Sequence, residues 1–205
     1  MKKIMIMILF ISSYCFSQTG ILTEKGRSAM GIWGSYATQI ECNNCTNSAF
    51  GFSFDYMTDF GLELEVGLVK SDLEENGVPF DGDSKAVGLA YHLKGGTNNV
   101  AFGIAKLNTE LTSSWYYGSL DYDTETFGVA FYNNNGFSFQ VQKIRIPDLD
   151  TDSELLTFGN YWKGQTVSWG ITYSASWDLF DTLIEDGDLE YLKYGNIGVV
   201  VGGMF

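Results

Sequence analysis

Five ionisable residues are the best placed to do chemistry in this sequence. They are Asp55, Glu63, Glu65, His92 and Lys94. Each alternates with apolar neighbours in a stretch that reads as extended chain, so the five side chains share the polar face of predicted strands. Neighbouring carboxylates in a confined space repel one another unless a cation or a proton lies between them. The cluster allows a proton- or cation-binding gate or a polar network that only fills space, and we favour the network.

Hairpin geometry predicts which members of this cluster meet. A hairpin centred within the polar loop 71–83 places Glu63 opposite His92. A tight turn at 58–59 places Asp55 beside Glu63 in the preceding hairpin. The sequence therefore predicts that His92 and Lys94 are the natural partners of these two carboxylates, with Glu65 above them.

A catalytic role for His92 is not favoured. It is the only histidine in the chain, and a serine nucleophile must lie within hydrogen-bonding reach of its base. Ser71 and Ser84 fall at the opposite end of the predicted strands, roughly 25 Å away at about 3.3 Å per residue. We predict that the protein is not an enzyme and that it uses no cofactor and no metal.

Two cysteines remain in the predicted mature chain, in the segment Cys42-Asn43-Asn44-Cys45. The spacing also occurs in thioredoxin-like redox motifs, but those motifs open a helix after a buried strand. Here turn residues flank the pair between two predicted strands. We favour a small loop disulfide between Cys42 and Cys45, formed in an oxidising compartment.

Residues 1–18 have the features of a secretory signal peptide. Lys2 and Lys3 precede an apolar run at 4–11, and a small-x-small-like site at 15–17 lies before Gln18. Loss of the two lysines would move the net charge from -13 to about -15. Such acidity argues against a nucleic-acid partner. The predicted mature domain is 19–205.

Apolar residues recur at a period of two through the remaining chain, which is typical of strands. In 62–68, for example, four apolar residues alternate with Glu63, Glu65 and Gly67. The connections between such stretches alternate in length. The short ones are 58–59, 95–99 and 133–135, and the long ones are 39–48, 71–83, 108–118 and 147–162. Transmembrane β-barrels show this alternation, with short periplasmic turns and long extracellular loops.

Ten strands are the preferred count. Eight strands reach residue 174, and Trp177, Leu179 and Leu183 supply a ninth. A hairpin at Asp186 and Gly187 then returns the chain into the terminal strand. The alternative is an eight-stranded barrel in which 147–194 form one elaborate loop.

The last stretch, 195–205, ends the chain on an aromatic residue. Ile197, Val199, Val201 and Phe205 share one face of an extended chain. This ending resembles the closing strand of Gram-negative outer-membrane β-barrels, in which a terminal Phe after alternating apolar residues is the insertion signal. The resemblance to small OmpA/OmpX-like, porin-type barrels covers nearly all of the mature chain. It implies an all-β, antiparallel, up-and-down transmembrane β-barrel.

The expected role follows from that resemblance. It is a monomeric, non-enzymatic outer-membrane barrel with acidic extracellular loops, acting in surface structure, adhesion or envelope integrity. Its implied partners are outer-membrane lipid, lipopolysaccharide and, during insertion, the barrel-assembly machinery. One alternative is a narrow porin-like channel for small solutes or ions. Another is a secreted soluble β-barrel that binds an apolar ligand, which would need its apolar strand faces turned inward.

Overall fold

The chain folds as a closed, all-antiparallel barrel of ten strands, each paired with its neighbours in sequence order. This computed structural model describes residues 18–41, 45–75, 77–113, 115, 118–187 and 189–205. The strands are β1 (Ala29–Gln39), β2 (Cys45–Met57), β3 (Leu62–Glu75), β4 (Val78–Lys94), β5 (Asn98–Thr112), β6 (Ser119–Asn133), β7 (Phe137–Ile146), β8 (Thr151–Trp162), β9 (Ser168–Ser176) and β10 (Asn196–Met204). The predicted fold class and the preferred count of ten strands are confirmed.

Strand β10 closes the barrel against β1. The paired residues run from Gly31 opposite Met204 to Gln39 opposite Asn196. Beyond β10, the backbone N–H of Phe205 donates to the Met30 carbonyl, and the N–H of Met30 donates back to Phe205. The terminal residue is therefore paired into the closing seam.

The two ends of the barrel differ. At one, called the turn end, short turns at 58–61, 95–97, 134–136 and 163–167 join the strands. The connections at the other, called the acidic end, include a 3₁₀ turn at Pro147–Leu149, a helix α2 (Trp177–Asp186) and a 3₁₀ segment at Leu189–Tyr194. Among the described residues, no helix is long and apolar enough to cross a membrane.

Several predicted long loops are wrong. The predicted loop 71–83 is mostly strand, because β3 runs to Glu75 and β4 starts at Val78. The predicted loop 147–162 contains all of β8. Outward residues are mostly polar through 71–83, and in β8 they are polar at Asp152 and Glu154, which reads as loop in the sequence. Inward residues of both stretches, such as Leu73 and Leu155, are buried, so the strands continue.

The predicted ninth strand through Trp177, Leu179 and Leu183 is also wrong, as is the hairpin at Asp186. This stretch is helix α2, preceded by Ser176 and ended by Gly187. Gly187 has φ 66°, a left-handed conformation that favours glycine, and its N–H donates to the Leu183 carbonyl. Phe180 packs on the outward-facing Phe158 with ring centroids 5.8 Å apart. The helix therefore packs on the outer wall, where its spacing of apolar residues suits one face.

Strand β3 shows how the outer surface is organised. Its outward side chains are apolar and exposed from Leu62 to Leu68, and Lys70 is the first outward charge. Lys70 lies eight positions after Leu62, a distance of about 26 Å along extended chain. Over the same length the buried inward side chains include Glu63 and Glu65. The lower part of the strand is thus apolar outside and polar inside.

The other long strands change at the same level. The first outward charges after the apolar outer face form a ring, here called the charged ring: Lys70, Lys85, Lys106, Glu125 and Lys143. Between this ring and the turn end, exposed aromatic and aliphatic side chains surround the barrel. We call this surface the apolar band. Lys106 pairs with Asp123 at 2.7 Å and Lys143 with Asp152 at 2.8 Å, both on the far side of the band.

Above the charged ring the pattern is reversed. The buried, inward side chains there form an apolar cluster, here called the outer cluster: Leu73, Leu111, Tyr122, Ile144, Ile146 and Leu155. The outward side chains are charged, and Asp72, Glu74 and Glu110 are among them. This part of the barrel has an apolar core and a charged surface, as a water-soluble protein has.

Candidate functional site

The barrel interior at the turn end is occupied by the amino-terminal segment. A short helix α1 (Gln18–Leu22) lies inside the barrel, and Gln18, Thr19, Gly20 and Ile21 are all buried. Residues 18–23 are called the plug. The chain leaves the interior after Thr23, whose hydroxyl donates to the Thr19 carbonyl at 2.6 Å. Gln18, which the sequence analysis assigned to the signal peptide, therefore belongs to the folded interior.

Glu63 and His92 hold the plug from one side. The His92 Nε2 and Glu63 Oε2 atoms are 2.7 Å apart, with the two residues only 4% and 1% exposed. The other Glu63 oxygen accepts the Gly20 backbone N–H at 2.7 Å. His92 Nδ1 lies 2.9 Å from the Tyr132 hydroxyl. One carboxylate thus joins a strand histidine to the plug backbone.

Thr19 connects the plug to the opposite side of the lumen. The indole N–H of Trp33 donates to Thr19 Oγ1 at 2.7 Å. The Thr19 hydroxyl in turn donates to Asp55 Oδ2 at 3.2 Å. Trp33 and Asp55 are both fully buried, so this chain of hydrogen bonds is shielded from bulk water and is stronger than it would be at the surface.

Two glycines make room for the plug. A Cβ at Gly20 would overlap His92 Nε2 and Glu63 Oε2. A Cβ at Gly31, on β1, would overlap Thr19 Oγ1 and the Trp33 indole nitrogen. The plug and the wall are therefore complementary at both positions, and a side chain at either would prevent the observed packing.

The predicted pairing was wrong by two residues in each hairpin, although the faces were right. Glu63 lies opposite Ala90 rather than His92, and Asp55 lies opposite Glu65 rather than beside Glu63. The 58–61 turn is longer than the predicted 58–59, since Thr58 bonds to the Leu62 backbone through its own backbone and hydroxyl. A shift of two residues preserves the strand face. Glu63 therefore reaches His92 diagonally.

Lys94 and Glu65 lie at different depths of the same interior. The Lys94 ammonium is half-buried at the turn end, where it donates to the Thr23 carbonyl and lies 5.9 Å from the Tyr132 ring centroid. Glu65 lies deeper and is buried. It lines a cavity of about 20 Å³ together with Gln18. The structure thus brings the five predicted residues into one region, with the plug inserted among them.

Sequence reasoning missed the plug, Trp33 and Tyr132. The plug carries no strand or long-helix periodicity, and its glycine at position 20 gives no signal until the wall is known. Trp33 and Tyr132 do alternate with the outward residues of β1 and β6, so their inward direction was readable. Their partners were not, because these lie far apart in sequence.

The residues of the predicted insertion signal lie on the outer surface and at the turn end. Ile197, Val199 and Val201 point outward from β10, and Phe205 is 77% exposed at the turn end. Cys42 lies outside the described residues, so the disulfide to Cys45 stays a prediction. The same holds for the signal peptide, whose residues 1–17 are also outside them.

The Glu63–His92 contact gives a testable stability prediction. Removing one partner of a buried, hydrogen-bonded pair typically costs about 3–5 kcal/mol. We expect Glu63→Gln and His92→Phe each to lower the free energy of unfolding on that scale, measured by denaturant titration of the folded barrel. The double variant should lose clearly less than the sum, because the two groups share one network.

Ser84→Ala is the matched control for this cycle. Its buried hydroxyl bonds Thr109 at 2.8 Å, away from the plug. This substitution should lower the free energy of unfolding by about 1 kcal/mol. The loss should be the same in the wild type, in Glu63→Gln and in His92→Phe. Strict additivity of Glu63→Gln with His92→Phe would contradict the coupling.

Comparison with solved structures shows the same fold elsewhere. The translocator domain of the autotransporter NalP from Neisseria meningitidis is 10% identical, with a TM-score of 0.54 over 100% of this chain and 97% of that chain. The transport unit of the autotransporter AIDA-I from Escherichia coli is 9% identical, with a TM-score of 0.48 over 97% of this chain and 95% of that chain. At this identity the NalP likeness concerns the barrel fold alone. No family model and no curated protein matches the chain.

Proposed function

We propose that this chain is a non-enzymatic outer-membrane protein that acts as a closed scaffold and presents an acidic surface outside the cell. The observation that carries the proposal is the reversal of the barrel's faces at the charged ring. Below the ring, apolar residues face outward, and above it they face inward. A barrel surrounded by water along its whole length would keep apolar residues inside throughout.

The apolar band approaches the height that a membrane requires. The outward apolar stretch of β3 covers about 26 Å of chain. At the strand tilt of roughly 35–45° that is usual in outer-membrane barrels, this length spans about 20 Å of the membrane normal, against a band of roughly 25 Å. The charged ring then marks the outer interface, and the turn end is periplasmic. This arrangement argues against the secreted barrel that binds an apolar ligand, because its apolar faces would have to point inward over this region.

The filling of the interior supports a scaffold rather than a channel. The plug closes the turn end, and the outer cluster fills the acidic end. Between them Ala37, Ala49, Val69 and Leu107 form a further buried cluster. The alternative of a narrow porin-like channel requires displacement of both the plug and the outer cluster.

The acidic end supplies the surface for a role in adhesion, surface structure or envelope integrity. Strands β3 to β6 extend beyond the charged ring and carry outward acidic side chains there, among them Asp72, Asp81, Glu110 and Asp121. Such a surface fits the divalent cations and phosphate groups of lipopolysaccharide, with the cations bridging the two anionic partners. We further propose a monomeric barrel, exported by an amino-terminal signal peptide that ends before Gln18 and inserted by the assembly machinery.

Membrane fractionation with a heat-modifiability gel tests this proposal. We expect the wild-type protein in the outer-membrane fraction, with a shift in migration on boiling. Deletion of Phe205 should leave most of the protein outside that fraction, because the deletion removes the exposed terminal aromatic and its two backbone hydrogen bonds to Met30.

Phe60→Ala is the control for that deletion. Phe60 is also a highly exposed aromatic at the turn end, but it takes no part in the closing seam. It should insert as the wild type does. Recovery of the wild-type protein in the soluble fraction would contradict the membrane placement. Recovery of the Phe205 deletion in the outer-membrane fraction at the wild-type level would contradict the insertion signal.

A further inference from the structure

A cavity of about 600 Å³ opens at the turn end, beyond the plug. We call it the vestibule. Its floor is formed by plug residues and the chain that follows them, 21–25, and its walls by the turns at 95–96, 134–136 and 161–163. Ligand sites in proteins usually have volumes of about 300–1,000 Å³, so the vestibule has room for a small organic molecule.

The vestibule concentrates positive charge in an acidic protein. Lys25, Lys94 and Lys163 all line it, although the chain as a whole carries a net charge of -13. Glu24 is the one carboxylate among the lining residues. It forms an ion pair with Arg27 at 3.1 Å, so its charge is already matched by a cation outside the lining.

Lys94 and Lys163 lie close enough for their charges to repel each other. The Lys94 ammonium is held by the Thr23 carbonyl and faces the Tyr132 ring. Glu63 attracts Lys94 more strongly than Lys163 repels it, but that carboxylate already bonds His92 and the Gly20 backbone. Within the part of the chain that the structure describes, no carboxylate forms an ion pair with Lys25, Lys94 or Lys163. An anion placed between them would relieve the repulsion.

The walls of the vestibule are ordered before any ligand arrives. Asn99 donates to the Asn134 side-chain oxygen at 2.9 Å, and Asn134 donates to the Gly96 carbonyl at 2.9 Å. Convergent cations beside these fixed polar walls suit a small ligand that carries a negative charge.

We propose that the vestibule binds a small organic oxyanion, in which a carboxylate or a phosphate group lies between Lys94 and Lys163. The ligand enters from the turn end. Because plug residues form the floor, the bound ligand also holds the plug in place. The inference extends the scaffold function and depends on the vestibule alone.

Isothermal titration of the detergent-folded, full-length barrel tests this site. The probes are inorganic phosphate and N-acetylmuramic acid, which carries a carboxylate on an amino sugar. We expect saturable binding of at least one of them with Kd below about 1 mM, and roughly tenfold weaker binding by Lys163→Gln, a difference of about 1.4 kcal/mol.

Lys70→Gln is the matched control, because Lys70 is an exposed lysine on the charged ring, paired with Asp83 at 3.2 Å. It should bind both probes as the wild type does. Heat-modifiability confirms that each variant is folded, which separates failure of the site from failure of the barrel. No saturable binding of either probe, or equal affinity in the wild type and Lys163→Gln, would overturn the proposal.

Discussion

A Gly20→Val substitution is expected to release the plug from the barrel interior. The new side chain would overlap the His92 ring and the Glu63 carboxylate, which hold the plug backbone. Hydrogen exchange at backbone amides 18–23, followed by mass spectrometry, measures the result. We expect exchange to be faster by about 100-fold or more. At a factor of ten for each 1.4 kcal/mol of lost protection, this is a loss of about twice that free energy.

The barrel itself should survive this change, because its strands close without the plug. Gly95→Val is the control, since a Cβ at Gly95 meets no atom within 4 Å. Its plug amides should exchange as slowly as those of the wild type. Unchanged protection in Gly20→Val would show that the plug is not held by the Glu63–His92 contact.

A charge in the apolar band should cost far more than the same charge elsewhere. Val66 lies at the middle of the band, four residues from both Leu62 and Lys70, and is 44% exposed. For Val66→Arg we expect a loss of about 2–4 kcal/mol in the free energy of unfolding from lipid vesicles, because an arginine near the bilayer midplane costs this much on an outer-membrane barrel.

Leu149→Arg provides the comparison. Leu149 is 42% exposed in the 3₁₀ turn at the acidic end, so it differs from Val66 in position rather than in exposure. We expect the stability of Leu149→Arg to match that of the wild type. Equal effects of the two substitutions would contradict the placement of the membrane around the band.

The faces of the strands were predictable from the sequence because a period of two does not depend on knowing the turns. An error of two residues in each hairpin left Glu63 and His92 on the same side, and the diagonal contact formed. The registers themselves were not predictable. That of β2 and β3 depends on the length of the turn at 58–61 and on the bonds of Thr58 within it, and that of β3 and β4 depends on the tight turn between Glu75 and Val78.

The misassigned strand and helix have a common cause. β8 carries Asp152 and Glu154 on its outward face above the charged ring, so it looks like a polar loop when membrane alternation is assumed along the whole chain. Helix α2 places apolar residues on the wall of the barrel and acids elsewhere, which imitates a short strand over five residues. The reversal of the barrel's faces above the charged ring is the signal that would distinguish a strand such as β8 from a polar loop.

The plug lay beyond sequence reasoning because its partners come from four different strands. Trp33, Asp55, Glu63 and His92 lie between 14 and 72 residues from Thr19 or Gly20. No local pattern in 18–23 encodes those contacts. What the sequence did show was the group of polar residues that receives it.

The measurement that tests the closed barrel most directly is ion conductance of the wild-type, heat-modifiable protein in a planar lipid bilayer. With the plug at one end and the outer cluster at the other, the bilayer should show no discrete current steps beyond those of a protein-free membrane. Reproducible single-channel steps would contradict the account, and the lumen cluster around Glu63 and His92 would then line a pore.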